Sequence, residues 1–115
     1  MSKAAELANL IGNINAGGGG VNRNLIINGA MNVAQRGTSS TGVGASDGYF
    51  TCDRWHLDSG ASTDGRLTMT QDSSAPSGFA NSLKLDCTTA DTSIGATEYC
   101  LLQQRIEGQN LQHVK

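Results

Sequence analysis

Two periodicities divide the chain. Over the first sixteen residues apolar side chains recur at helical spacing: Ala4, Leu7, Ile11 and Ile14 follow at three-four-three intervals, and Leu10 widens the stripe. Ser2 stands where a helix N-cap belongs, so residues 1–16 are predicted to form one amphipathic helix of three turns. Gly12 and the run Asn15-Ala16-Gly17-Gly18-Gly19-Gly20 end it, and residues 17–23 read as a flexible tether. So short a helix is marginal alone in water, because nucleation is costly and few hydrogen bonds follow it. Its stripe therefore needs a partner: the same helix of other subunits, a groove on another protein, or its own domain. The tether favours the first two, since a segment that packs on its own domain does not need such freedom.

From Asn24 onward the period shortens to two. Residues 25–27 are a β-prone run, Asn28-Gly29 is a turn signal, and Met31, Val33 and Gln35 share one side of an extended segment. Residues 37–48, rich in Gly, Ser and Thr, read as a loop. Residues 49–57 form the next expected strand, with Thr51, Asp53, Trp55 and Leu57 on one face and Phe50, Cys52, Arg54 and His56 on the other. A third strand spans 66–71 and presents Leu67 and Met69 together. A loop around Pro76 leads to a fourth at 82–88, with Leu83, Leu85 and Cys87 inward. The fifth, 98–106, alternates Cys100, Leu102, Gln104 and Ile106 against Tyr99, Leu101, Gln103 and Arg105. Five short strands between turns predict a mainly β chain, an antiparallel β-sandwich over 24–115 behind the helix and tether. Trp55, Leu83, Leu85 and Leu102 are its expected structural core.

Composition agrees and removes several functions. Fifteen glycines against one proline in 115 residues suit short strands and many turns in one small domain. The net charge of -2, with no Lys/Arg cluster, lacks the footprint of a nucleic-acid surface. No apolar stretch reaches the ~20 residues of a membrane span, so membrane insertion is not expected. Three cysteines, Cys52, Cys87 and Cys100, without a CxxC pair, argue against a disulfide framework or a zinc knuckle and are expected as small core residues.

The candidate chemistry is thin. Cys52 and His56, four residues apart on a strand, would stand about 13 Å apart, too far to share a metal ion. His56 and His113 lack a nucleophile-bearing motif, and Gly17–Gly20 precede no Lys-Ser/Thr, so neither hydrolysis nor phosphate cradling is indicated. Carboxylates are scattered over expected turns; a calcium ion near Asp47 or Asp91 is conceivable from residue type alone. Arg36 and Arg54 are expected to pair with carboxylates or cap turns. Tyr49, Phe50, Trp55, Phe79 and Tyr99 stand mostly where a core needs them, so a sugar platform is not indicated. No catalytic residue, cofactor or metal ligand is expected, and the chain is not expected to be an enzyme.

One run carries more. Asn24-Leu25-Ile26-Ile27-Asn28-Gly29-Ala30-Met31-Asn32-Val33-Ala34-Gln35-Arg36-Gly37, followed by Asp53-Arg54-Trp55, resembles a signature of tail-fibre and other appendage proteins of tailed bacteriophages, where it opens a jelly-roll domain. Gln104-Arg105-Ile106-Glu107-Gly108-Gln109-Asn110-Leu111 is similar to a stretch in the middle of that domain. The resemblance covers nearly all of 24–115 but only the first part of the family's domain, so a fragment of a longer chain is expected.

What the resemblance implies is a virion structural protein: the N-terminal anchor and first module of a tail fibre, located in the virion tail and in the host cytoplasm during assembly. Its implied partners are other tail proteins of adaptor, nozzle or baseplate type and, as a homotrimer, its own copies. Ala4, Leu7, Leu10, Ile11 and Ile14 are the expected anchoring surface. Host glycan would be met through regions beyond this chain. A carbohydrate-binding module and a small decoration or accessory protein are the alternatives.

Overall fold

The computed structural model describes residues 2–15, 24–60 and 64–111; of residues 10–15 it describes the helical backbone alone. The tether expected over 17–23 lies outside the described residues. The chain divides into two compact units, Met1–Ile27 with Ile106–Lys115, and Asn28–Arg105.

In the first unit, helix α1 spans Lys3–Asn15. Ser2 caps it as expected: its hydroxyl oxygen accepts the Ala5 N–H at 3.3 Å, and its carbonyl accepts those of Ala5 and Glu6. Glu6 in the first turn complements the positive end of the helix dipole. The β-prone run 25–27 forms no strand. Instead the Asn24 side chain takes the Ile26 N–H at 2.9 Å, a local turn that competes with sheet pairing. A single 3₁₀ turn, Gly108–Leu111, is held by the Asn110 N–H on the Glu107 carbonyl.

The second unit is mainly β, with two antiparallel sheets. The first has the order β1 (Ser39–Val43), β3 (Arg66–Asp72), β4 (Ser82–Thr89); the second pairs β2 (His56–Ser59) with β5 (Cys100–Gln103). Strand β1 falls within the expected 37–48 loop. Ser39 and Ser40 pair with Thr70 and Met69 of β3 until an irregularity between Ser40 and Val43, where Gly42 takes φ 68°. The expected strand 49–57 shortens to β2 because residues 51–54 make a tight turn with Arg54 at φ 72°. The face assignment of Cys52 and Trp55 as strand residues is therefore overturned. The expected strand 98–106 likewise contracts to Cys100–Gln103.

Both sheets contribute to one small core: Val43 and Met69 from the first, Leu57 from the second, with Phe50, Leu67 and Leu83 packed against them. Directly opposed residues of an antiparallel pair share a face. Leu85 opposes the fully buried Met69, and Cys87 opposes Leu67, so both lie on the inner face that alternation predicted. Leu102 opposes the fully buried Leu57, and Cys100 opposes Ser59.

Their burial is the correction. Leu85 is 40 % exposed, Leu102 is 38 % exposed, and Cys87 and Cys100 are exposed as well, so the core does not extend over this part of β4 and β5. Of the three cysteines only Cys52 is a core residue. Leu83 is half-buried against the core, and Trp55 is half-buried rather than enclosed.

Candidate functional site

The residues 28–37 and 52–55 meet in a hydrogen-bonded lock between two turns. Asn28 sits at φ 55°, a left-handed conformation that asparagine tolerates better than most residues. Its side-chain oxygen accepts the Val33 N–H at 3.0 Å, and its amide donates to the carbonyls of Val33 at 2.9 Å and Asp53 at 3.0 Å. The Asp53 N–H returns to the Val33 carbonyl at 2.9 Å, and an Asp53 carboxylate oxygen takes the Gln35 N–H at the same distance. The Trp55 indole N–H donates to the Asn28 carbonyl at 3.2 Å.

Met31, also left-handed at φ 56°, offers its carbonyl to the Gln71 amide of β3 and to the Cys52 thiol. Burial pushes that thiol above its ordinary pKa. Two strained backbone positions of ordinary side-chain residues, Met31 and Arg54, are thus held in place by bonds from three separated stretches of chain.

Two clefts flank the lock. A groove of about 300 Å³ is lined by Met31 and Trp55 from the lock, Phe79, Leu83 and Leu102 among others. It brings together three of the four expected core residues, Trp55, Leu83 and Leu102; Leu85 is not part of it. The second, about 320 Å³, is polar and lined by Gln35, Arg36, Tyr49, Asp53 and Arg54. There the Arg36 guanidinium lies over the Tyr49 ring, 5.4 Å from its centroid, and the far side of the motif is steadied by an edge contact of Tyr49 with His56 at 4.8 Å. The expected pairing of Arg36 with a carboxylate is replaced by this stacking.

On the outer face of the second sheet Asp58 collects donors: the Tyr99 hydroxyl at 3.3 Å and the Gln103 amide at 3.1 Å, with His56 Nδ1 3.4 Å from the same amide. The carboxylate of Asp58 holds the Tyr99 phenol above its usual pKa. Asp47 and Asp91, considered as calcium ligands, accept protein donors: Asp47 those of Ser59, Asp91 the N–H groups of Ser93 and Asp64. No group of three or more His, Cys, Asp or Glu among the described residues could hold a metal ion. Among them, too, no helix is long and apolar enough to cross a membrane.

Of the expected anchoring surface, Ala4 and Leu7 are exposed on α1, Leu7 at 57 %. The side chains of Leu10, Ile11 and Ile14 lie outside the described residues. The lock itself was signalled only by Asn28-Gly29; nothing local to Gln71 announces its bond to Met31. No family model matches the chain, and no curated protein or solved structure matches it significantly.

Proposed function

We propose that the chain is a virion structural protein, the N-terminal anchor and first rigid module of a bacteriophage tail fibre. The observation that carries this reading is the lock. The two motif segments that resemble the tail-fibre signature are the segments that Asn28, Asp53 and Trp55 tie together, so the motif residues act as a scaffold. A scaffold motif fits a structural module, whose task is to hold shape under load.

The two sheets are then the first part of a jelly-roll-like β-sandwich, a reading supported by the core that Val43 and Met69 share with Leu57. The exposed inner-face residues Leu85, Cys87, Cys100 and Leu102 would be covered by further strands or by neighbouring subunits. Helix α1, with Ala4 and Leu7 exposed, docks on other tail proteins, and a homotrimer multiplies small interfaces into one durable joint.

The test is deletion of residues 1–16 followed by a virion assembly assay. Fibre-less particles with correctly folded free fibres are expected; normal attachment would remove the anchoring role.

A further inference from the structure

Asn28-Gly29 is the only Asn-Gly pair in the chain, and the lock holds both halves of it. An asparagine before glycine is chemically labile: the following backbone nitrogen attacks the side-chain amide carbon, and glycine, with no side chain, leaves that approach open. We propose that Asn28 is a deamidation site which the lock keeps shut, so that each opening exposes it to a conversion after which the lock cannot re-form. The site depends on the hydrogen bonds of the lock and not on the tail-fibre reading, so it survives the failure of that reading.

In the reaction the Gly29 nitrogen passes its proton to hydroxide and bonds to Asn28 Cγ. The Cγ–Nδ2 bond breaks, and the leaving nitrogen takes a proton from water and departs as ammonia. The cyclic imide then adds water at either carbonyl and opens to aspartate or isoaspartate, with no change of oxidation state. Ring closure requires the 28–29 peptide to rotate until its nitrogen faces Cγ, and two sets of bonds oppose that rotation. The side-chain oxygen accepts the Val33 N–H at 3.0 Å, while Nδ2 donates to the carbonyls of Val33 at 2.9 Å and Asp53 at 3.0 Å, which fixes Cγ. The Asn28 carbonyl shares a peptide plane with the Gly29 nitrogen. It accepts the Trp55 indole N–H at 3.2 Å and the Met31 N–H at 3.1 Å, which fixes the nucleophile. At φ 55° the left-handed region permits ψ of about +30 to +60°, which turns the Gly29 nitrogen away from the side chain. Gly29 is exposed and Asn28 half-buried, so water and hydroxide reach the pair and burial is not what protects it.

The product cannot restore the lock. A carboxylate at position 28 still accepts the Val33 N–H but donates nothing, so the carbonyls of Val33 and Asp53 face a negative oxygen instead of a donor. Isoaspartate in addition routes the main chain through the side chain and lengthens the turn.

The experiment incubates the 115-residue chain at mildly alkaline pH, folded and in urea, and locates the change at Asn28 by fragmentation mass spectrometry of digests. Conversion in the folded chain should be at least about thirtyfold slower than in urea, the factor by which the closed lock outweighs the open one. Because the lock opens locally, the folded rate should stay flat as urea rises well below the unfolding midpoint. Trp55→Phe removes one of the two donors on the Asn28 carbonyl and should speed conversion of the folded chain at least about threefold, with the rate in urea unchanged. Asn28→Asp, which installs one of the two products, should lower the urea midpoint read by circular dichroism. Equal rates folded and unfolded, a folded rate that climbs with the global unfolding equilibrium, an unchanged folded rate in Trp55→Phe, or a wild-type midpoint in Asn28→Asp would each overturn the proposal. Should Trp55→Phe fail to fold, the urea series on the wild-type chain decides alone.

Discussion

Trp55 and Asn28 hold each other through the main chain. The indole N–H donates to the Asn28 carbonyl at 3.2 Å, while the Asn28 amide donates at 3.0 Å to the carbonyl of Asp53, two residues before the tryptophan. Each residue satisfies a backbone group in the other's turn, so the two turns form one unit. Removing the Asn28 side chain takes from the part-buried Asp53 carbonyl the amide that donates to it, which costs more than the bond itself contributed. Without the Trp55 side chain, in contrast, the Asn28 carbonyl still accepts the Met31 N–H at 3.1 Å.

Asn28→Ala should therefore destabilise the chain by about 2–3 kcal/mol, from three lost side-chain bonds and an unfavourable left-handed backbone. Asn28→Gly keeps the backbone freedom and should cost less than Asn28→Ala. Urea unfolding followed by Trp55 fluorescence measures both, and an order reversed between the two variants would show that the backbone conformation is not what matters.

Gly42 and Gly44 separate conformational strain from steric conflict. Both have positive φ, 68° and 118°, but a Cβ at position 42 meets nothing within 4 Å, whereas one at 44 would stand 2.9 Å from the Gly65 carbonyl oxygen. Gly42→Ala should cost about 1 kcal/mol and Gly44→Ala clearly more, with a shifted β1–β3 register. Thermal unfolding compares them directly.

The sheets' shared core and their open inner face should respond oppositely to truncation. Met69→Ala, at a fully buried site, should cost about 2–4 kcal/mol. Leu85→Ala, opposite it on β4 but 40 % exposed, should cost under about 1 kcal/mol and reduce self-association of this chain. Chemical denaturation and light scattering read the two effects.

The three thiols should alkylate in order. Cys87 is exposed and should react first. Cys100 is exposed too, yet partial burial of its thiol pushes its pKa up and slows it at mildly alkaline pH. Cys52 is buried with a raised pKa and should react only on unfolding. Timed iodoacetamide labelling with peptide mapping gives the sequence of events.

Tyr99 should titrate above a free phenol because Asp58 disfavours its anion. With the folded pKa raised, the associated stability is fully present below the ordinary tyrosine range and is lost as pH climbs through the raised value. Asp58→Asn should bring the phenolate transition seen in ultraviolet absorbance down towards its ordinary position; an unmoved transition would mean that Asp58 is not its cause.

Alternation read β3 and β4 well: Arg66–Asp72 and Ser82–Thr89 lie within two residues of expectation, and the inner faces of both follow the pattern. Local polarity misled at β1, where Ser39 and Ser40 pair with β3 although nothing apolar marks them. Cover was illegible, since periodicity states which face Leu85 and Cys87 share but not whether a neighbouring strand lies against it. The lock was legible only as a turn at Asn28, because its strength comes from Asp53, Trp55 and Gln71, residues far along the chain. Residues 51–55 looked extended because their side chains suit strands, and long-range hydrogen bonds overrode that preference.

The pairing of β2 with β5 sets a timetable for the growing chain. Strands β3 and β4 are neighbours in sequence and can close as a hairpin soon after both have left the ribosome. Leu57, in contrast, is made before them and must wait until Leu102 follows, with the whole hairpin synthesised in between. During that interval a residue destined for complete burial stays open to water and to neighbouring nascent chains. The slow closure of this sheet is the moment at which correct folding and misfolding of the chain compete.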